Sequence, residues 1–478
     1  MEKKSLTSNA IYNVIYKCLN LLFPLITMIY VSRILLPVGV GKVAAAQNIV
    51  QYFVILAALG LPTYGVKKIA ECTDDKEKSS RVFSELFAIN AISTIICSFF
   101  YIMMVLAVPY FHTRIAITLI VGIQLFANII NIDWLYQGFE EFRYIMYRSL
   151  AVKLIALISV VIFVRTKEDY IIYALITTLS LVLNYTFNIY HCHKYVSLKF
   201  KHLNIKQHLK PVLTLLATTI AIEIYTLADT TMLNYFKGDE VVGLYTNASK
   251  SSSILRMMIA SICAVFLPRL NYHYSHDDFA KFNNLANKGL SLLINISLPI
   301  AVGLFLLADN CILILFGSDF QPAIITLRIL SLSLITVALS NFMGYQILVT
   351  VNKEKIVLYS TILGAIVNVV LNFLLIEKFS QNGAAVASVI TESCVVLYQF
   401  YYVKKLISID HSNISSLLIP IISMVLVIVT IKFWVANVWL ETIISFVAGI
   451  LVYGFIGVLC GNEMIVIVKR RLKSIALI

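Results

Sequence analysis

Residues 211–268 read PVLTLLATTIAIEIYTLADTTMLNYFKGDEVVGLYTNASKSSSILRMMIASICAVFLP and decide the fold. Two long apolar segments joined by a short polar turn predict two consecutive membrane-spanning helices. Four charged residues interrupt them: Glu223, Asp229, Lys250 and Arg256. Because a charge at the bilayer centre costs about 2.5 to 3.5 kcal/mol on insertion scales, we expect these side chains to face a bundle interior, a partner or water. The pattern predicts a protein that moves a solute across a membrane, with these helices as one wall of its path.

The composition is that of a polytopic all-α membrane protein. The 478 residues are 60% hydrophobic and 13% charged, whereas soluble domains carry about 25% charged residues. At about 20 apolar residues per span, the length predicts about fourteen transmembrane helices and leaves no separate soluble domain. The predicted spans are 11–33, 41–63, 84–110, 114–137, 147–165, 169–190, 211–236, 241–267, 287–309, 322–350, 356–376, 382–403, 416–435 and 441–460.

Lysine and arginine are concentrated in every second connection between these spans. This distribution matches the positive-inside rule if the amino terminus is cytoplasmic, and the even number of spans then places both termini in the cytoplasm. The net charge of +13 is explained in the same way, so it does not predict binding to nucleic acid.

Cofactor and enzyme motifs are not apparent in the sequence. The eight cysteines are scattered and the eight histidines lack the neighbours that a metal site needs, so we expect no metal, no cofactor and no disulfide framework. Hydrolase, zinc-protease and phosphate-loop motifs are also missing. We therefore expect a transporter rather than an enzyme.

Two regions of the chain share one pattern. In each, a long helix is followed by an outer turn with a glycine (Gly41 or Gly243), a second long helix and a proline (Pro62 or Pro268). Six helices separate the two copies, and parallel six-helix repeats are a known transporter plan. We therefore expect two pseudo-symmetric six-helix lobes, in residues 1–208 and 209–405, followed by two extra helices and a basic tail in residues 406–478.

Charged residues inside the spans are the candidate substrate-binding residues. Arg256 lies nearest the midplane of its span, and an ion pair with Glu223 at a similar depth is the alternative role. Lys250 and Asp229 lie nearer the predicted outer end, and Glu392 lies within the twelfth span. Two cations suit an anionic substrate such as a pyrophosphate, while the acids leave proton or sodium coupling open.

Three further cations lie closer to the ends of their spans. Lys17 is within snorkelling distance of the predicted inner surface, so a cavity position and an interfacial one are nearly equal alternatives. Arg328 and Lys153 are predicted to be interfacial. The hydroxyl-rich residues 247–253 are predicted to line a cavity.

Several motifs together resemble a known family. They are RILLP at 33–37, LGLPTYGVKKIA at 59–70, DWLYQGFEEF at 133–142, VGLYTNASK at 242–250 and GAAVASVITE at 383–392. In this order they resemble bacterial polysaccharide repeat-unit flippases of the O-antigen and capsule type, which belong to the multidrug/oligosaccharidyl-lipid/polysaccharide exporter superfamily.

The resemblance implies two six-helix lobes around a central cationic cavity, plus two extra helices. It also implies translocation of an undecaprenyl-pyrophosphate-linked oligosaccharide from the cytoplasmic to the outer leaflet by alternating access, in the bacterial cytoplasmic membrane. Because helices 1 and 7 line the cavity in this superfamily, Lys17, Glu223 and Asp229 are expected on its wall; Lys250 and Arg256 carry over by role alone. We expect a monomer whose partners are the lipid-linked substrate, membrane lipid, and a polysaccharide polymerase with its assembly proteins.

Three alternatives remain open. Two belong to the same superfamily: a peptidoglycan-precursor flippase and a multidrug exporter, the latter disfavoured by fourteen spans and two deep cations. The third is a membrane-embedded polymerase or acyltransferase of envelope polysaccharide assembly. The short predicted outer connections disfavour it, because such enzymes usually need a sizeable extramembrane loop for the acceptor.

Overall fold

The computed structural model describes residues 6–199, 203–408 and 414–462. Within these residues the chain is helical and contains no strand, which confirms the prediction of an all-α membrane protein. The first ten helices are α1 (Leu6–Ala58), α2 (Leu61–Ala70), α3 (Lys76–Ala107), α4 (Pro109–His112), α5 (Ile115–Ala127), α6 (Asp133–Gly138), α7 (Phe142–Phe163), α8 (Tyr170–Cys192), α9 (Lys206–Lys237) and α10 (Asp239–Ala264). They are followed by α11 (Leu267–Ser275), α12 (Phe279–Leu306), α13 (Ala308–Phe316), α14 (Ala323–Asn341), α15 (Glu354–Val403), α16 (Ile414–Trp434) and α17 (Val438–Leu459).

The observed helices are consistent with about fourteen spans. Ten helical segments of the described residues are long and apolar enough to cross a membrane. Two of these contain a break, at Leu36 in α1 and at Ser380 in α15, so each of those helices covers two predicted spans. The short apolar segment Ile115–Ile130 and the 32-residue helix α9 account for the remaining two.

The break in α1 follows from a proline. Pro37 has no N–H to donate, and its ring disfavours helical geometry at the preceding residue. Leu36 accordingly has φ 59° and ψ 175°, a conformation that is costly for a residue with a side chain. The sequence prediction placed a turn at this point, and the helix instead resumes at once.

The chain packs as two compact units, Met1–Gly243 and Leu244–Ile478, called here the first and the second unit. Their boundary follows Gly243 and lies inside α10, so α9 packs with the first unit. The predicted division after residue 208, into two six-helix lobes and a C-terminal pair, stays a prediction.

Each unit has its own apolar core. In the first unit, Phe83, Trp134 and Tyr136 pack together where α3 and α6 meet. In the second unit, Leu293, Leu334 and Phe342 join α12 to α14 and the π-helical segment that continues it. Large apolar side chains also remain exposed along several helices, as a lipid-facing surface requires: Ile95, Phe99 and Phe100 on α3, and Phe433, Trp434, Phe446 and Phe455 on α16 and α17.

Candidate functional site

The two glycines of the predicted repeat lie against each other in the first unit. A Cβ on Gly41 would lie 1.7 Å from the carbonyl oxygen of Asp239, and a Cβ on Gly243 would lie 2.0 Å from the carbonyl oxygen of Pro37. The contact is reciprocal, because each glycine faces the carbonyl four residues before the other. No larger residue fits at either position unless the backbone moves.

Polar side chains fasten α9 to α1 near this contact. Asn48 donates from Nδ2 to the carbonyl oxygen of Leu227 at 3.1 Å and to Oγ1 of Thr231 at 2.7 Å. The hydroxyl of Tyr52 lies 3.0 Å from the same Oγ1. Asp229, one of the predicted substrate-binding residues, lies in this part of α9 and is only 5% exposed.

An ion pair joins α5 to α10 at the end of the first unit where Gly41 and Gly243 meet. Nη1 of Arg114 donates to Oδ1 of Asp239 at 2.5 Å, and Nδ2 of Asn234 donates to the same oxygen at 2.8 Å. Tyr110 donates to Oδ1 of Asn234. Connections predicted to lie on the outer side of the membrane therefore meet at one end, as the predicted topology requires.

A buried arginine in the first unit was missed by the sequence analysis. The Arg148 side chain is 5% exposed, and Nη2 lies 3.0 Å from Oδ1 of Asp133, which also accepts from Nδ2 of Asn188 at 2.5 Å. Nε and Nη1 of Arg148 are buried without a hydrogen-bond partner. Since buried donors are nearly always satisfied, these two nitrogens are free to donate to a water or to an anionic ligand.

The burial of Arg148 was not predicted because the helix begins earlier than the sequence suggests. The sequence counts Arg148 with the charges of an inner connection, because the predicted span begins only at 147, whereas α7 starts at Phe142 and carries Arg148 more than one turn inside. Lys153 follows on the same helix; it is half-buried and bonded to Oδ1 of Asn20 on α1. The prediction of an interfacial Lys153 did not foresee this contact.

A second buried polar cluster fixes the start of α9. Glu85 is 1% exposed and accepts from the amide of Asn204 at 2.8 Å, from Nε2 of Gln207 at 3.0 Å and from Nε2 of His208 at 2.8 Å. Nδ1 of His208 lies 2.9 Å from the hydroxyl of Tyr64. The cluster joins α2, α3 and α9. Its members lie far apart in the sequence, so no local pattern predicts their contact.

The second unit holds three of the predicted substrate-binding residues. Arg256 is half-buried, and its Nη1 donates to Oγ of Ser252 at 3.0 Å. Glu392 is half-buried and accepts from Oγ of Ser340 on α14 at 3.4 Å. Lys250 is exposed on α10. None of these observations tests contact with a substrate, so their role stays a prediction.

The remaining predicted residues belong to the first unit. Glu223 is half-buried and accepts from Oγ1 of Thr226 at 3.1 Å. Lys17 lies in α1, but its side chain is outside the described part of the structure. In the hydroxyl-rich stretch of the second unit, Ser251 and Ser253 donate to carbonyls of their own helix, and the cavity lining predicted for this stretch stays a prediction.

An ion cluster holds the two C-terminal helices to α13 and α14 within the second unit. Nζ of Lys432 on α16 lies 2.8 Å from both carboxylate oxygens of Asp309 and 3.9 Å from Oε1 of Glu441 on α17. Nη2 of Arg328 lies 3.8 Å from the same Asp309. Arg328 therefore belongs to an ion cluster, in addition to the interfacial position predicted for it.

Residues 6–199, 203–408 and 414–462 contain no group of three or more His, Cys, Asp or Glu side chains that could hold a metal ion. The eight cysteines are free.

Comparison with known sequences gives two family matches. The family described as "Polysaccharide biosynthesis protein" matches residues 6–272, and MatE matches residues 215–374. The "Putative O-antigen transporter" of Escherichia coli (strain K12) is 26% identical over 409 residues, which cover 84% of this chain and 98% of that protein. The "Capsular polysaccharide biosynthesis protein CapF" of Staphylococcus aureus is 24% identical over 421 residues, covering 84% of this chain and all of the relative.

Solved structures share the fold. The lipid II flippase MurJ in an inward closed conformation matches 95% of this chain and all of its own, with a TM-score of 0.77 and 17% sequence identity. An inward-facing multidrug resistance MATE family transporter of the MOP superfamily matches 82% of this chain and 98% of its own, with a TM-score of 0.66 and 16% identity. At these identities the likeness concerns the fold alone.

Proposed function

The chain belongs to the polysaccharide biosynthesis protein family, and from this membership we propose that it is a flippase for a lipid-linked oligosaccharide. The substrate is an undecaprenyl-pyrophosphate-linked repeat unit of a surface polysaccharide. It moves from the cytoplasmic to the outer leaflet of a bacterial cytoplasmic membrane by alternating access, without covalent change. Both termini lie in the cytoplasm.

One observation carries this proposal: the likeness extends over nearly the whole length of transporters named for O-antigen and of a protein named for capsular polysaccharide. A shared helix pair would explain a local match between membrane proteins, but it would not align almost every residue of the relatives. The fold is also that of a solved lipid II flippase, which is in keeping with a transporter.

The pyrophosphate is the part of this substrate that charged residues would recognise. Arg256 and Lys250 of the second unit are its proposed contacts, because guanidinium and ammonium groups bind phosphate oxygens. Within the first unit, Arg148 is a separate candidate for binding an anion, since two of its buried nitrogens lack a protein partner. Lys17 is a further proposed contact.

The acidic candidate residues are proposed to couple transport to an ion gradient. Glu223, Asp229 and Glu392 would carry protons or sodium ions during the cycle, because intramembrane carboxylates commonly do so in transporters. Partner proteins would be the polymerase and the assembly proteins that use the translocated repeat unit.

A peptidoglycan-precursor flippase is the second candidate. It is kept as the alternative because this chain has the fold of a lipid II flippase over 95% of its length. Both candidates share the lipid pyrophosphate and differ in the attached saccharide.

Complementation with defined repeat units separates these candidates. The chain is expressed in strains that lack either a repeat-unit flippase or the peptidoglycan-precursor flippase. We expect restored surface polymer in the first strain only, with loss of polymer for Arg256→Ala at normal protein level and insertion. Arg269→Ala, which removes an exposed arginine just beyond the same helix, is the matched control and should behave as wild type. Rescue of only the second strain would favour the precursor flippase, and wild-type polymer from Arg256→Ala would refute its role.

A further inference from the structure

A cavity of about 250 Å³ lies at the predicted outer end of the first unit. Residues of α1, α4, α5 and α8 enclose it together with the first residue of α10. Its charged lining residues are Lys42, Arg114 and Asp239, and Tyr110 and Tyr170 add aromatic surface. None of these residues is among the substrate contacts proposed above.

The charges of the cavity do not cancel. Arg114 is paired with Asp239 at 2.5 Å, and Nζ of Lys42 lies 4.5 Å from the ring centroid of Tyr170. Among the described residues, no carboxylate lies within ion-pair distance of Lys42. A guanidinium has five N–H donors, of which the pair with Asp239 uses one. The Arg114 side chain is 29% exposed, so a ligand can reach the others.

The helix backbone around the cavity also contributes positive charge. The helices α5 and α8 both begin at this cavity, with Ile115 and Tyr170 among its lining residues. Neither helix has a side chain that caps its first amides. The amino-terminal ends of helices carry partial positive charge, which adds to that of the two cations.

We propose that this cavity binds a phosphate group at the outer face of the membrane, either on a lipid headgroup or as the free ion. Its volume lies below the range of about 300 to 1,000 Å³ that holds a drug-sized ligand, so it suits a phosphate or pyrophosphate and excludes an oligosaccharide. A bound phosphate would compete with Asp239 for Arg114. The ligand would thereby loosen the contact between the start of α5 and the start of α10.

Binding to the purified full chain tests the proposal. Inorganic phosphate is titrated at constant ionic strength, with calorimetry as the readout. Lys42→Gln should weaken binding about tenfold or more, as the loss of a charge-assisted hydrogen bond does. Asp239→Asn should strengthen binding, because it removes the competing carboxylate. Lys167→Gln, which neutralises an exposed lysine at the same end outside the cavity, should leave it unchanged.

The two sources of phosphate are distinguished by a second titration with short-chain phosphatidic acid. A lipid headgroup site predicts about tenfold tighter binding of the lipid than of the free ion, whereas a free-ion site predicts equal affinities. Wild-type affinity in Lys42→Gln, or the absence of saturable binding of either probe to the wild-type chain, would overturn the proposal. Lys42 takes part in no ion pair among the described residues, so its substitution remains informative if Asp239→Asn fails to fold.

Discussion

Gly41 and Gly243 pack so closely that a Cβ on either one would overlap the backbone of the segment that carries the other. Each faces the carbonyl oxygen four residues before its partner, that of Asp239 or that of Pro37. A reciprocal contact of this kind relates two sites that the sequence pattern had placed at equivalent positions of a repeat. It supplies a structural reason for glycine at both.

Alanine at either position should lower the stability of the protein. Its Cβ would overlap a backbone carbonyl, and overpacking typically costs about 1 to 3 kcal/mol. Thermal unfolding in detergent should show similar losses for Gly41→Ala and Gly243→Ala. The double substitution should cost less than the sum, because the first alanine already separates the two segments.

The matched control for this experiment is Gly454→Ala. No atom lies within 4 Å of a Cβ at Gly454 on α17, and alanine favours helix more than glycine does. An unfolding temperature at or above that of the wild type is expected. Equal losses at all three glycines would contradict the close contact.

Removing Asp133 from its ion pair with Arg148 should cost more stability than removing Arg148. The Arg148 side chain is 5% exposed and that of Asp133 is 26% exposed, so only the carboxylate can turn to water when its partner is lost. Asp133→Asn should therefore destabilise the chain by about 3 kcal/mol, the cost of an unpaired buried charge, and Arg148→Gln by less. The free energy of unfolding in a mild detergent measures both.

Arg143→Gln provides the comparison on the same helix. Arg143 is exposed, and its guanidinium lies over the ring of Tyr147 at 5.9 Å. Its loss should change stability by no more than about 0.5 kcal/mol. If Arg148→Gln proves the costlier member of the pair, the burial assigned to Arg148 is wrong.

Replacing an acceptor of the Glu85 cluster by a donor should destabilise the protein. In Glu85→Gln, one of the two carboxylate oxygens becomes an NH₂ group that faces the donors of Asn204, Gln207 or His208. An unsatisfied buried group costs about 1 to 3 kcal/mol, so the unfolding temperature should fall. Glu77→Gln changes an exposed carboxylate on the same helix, paired with Lys199 at 2.9 Å, and should have no measurable effect. Equal behaviour of the two variants would show that the cluster does not stabilise α9.

The predicted topology can be tested by thiol labelling of intact cells in a cysteine-free background. Lys378 and Lys78 are both exposed and lie in connections predicted on opposite sides. A membrane-impermeant reagent should modify Lys378→Cys and leave Lys78→Cys unmodified until the membrane is permeabilised. The reverse pattern would place the amino terminus outside.

The helices could be predicted well from sequence, because every span needs a long apolar run and every charged break marks a connection. The limits of the prediction are also physical. The chain resumes its helix directly after Leu36 and Ser380, and hydropathy cannot distinguish such a break from a loop. The position of α9 in the first unit depends on contacts such as that of Asn48 with Thr231, whose partners are far apart in the chain.

The site was harder to predict for a related reason. Hydropathy predicts how deep in the membrane a charged residue lies, but it does not show which neighbours form hydrogen bonds or ion pairs with it. Arg256 and Glu392 were predicted because they interrupt apolar spans, and their contact with a substrate stays a prediction. Arg148 lies close to a predicted helix end and was counted with the loop charges, and His208 lies in a basic connection. Both gain their importance from partners on other helices.

Reconstitution tests the central claim most directly. The purified chain is placed in lipid vesicles that carry an undecaprenyl-pyrophosphate-linked oligosaccharide in the inner leaflet only, and an impermeant glycosidase outside reports arrival of the sugar. The account predicts cleavage of the sugar with the wild-type chain and with Arg269→Ala, and none with Arg256→Ala beyond that of protein-free vesicles. A sugar that stays protected in vesicles containing correctly folded wild-type chain, under both proton and sodium gradients, would contradict it.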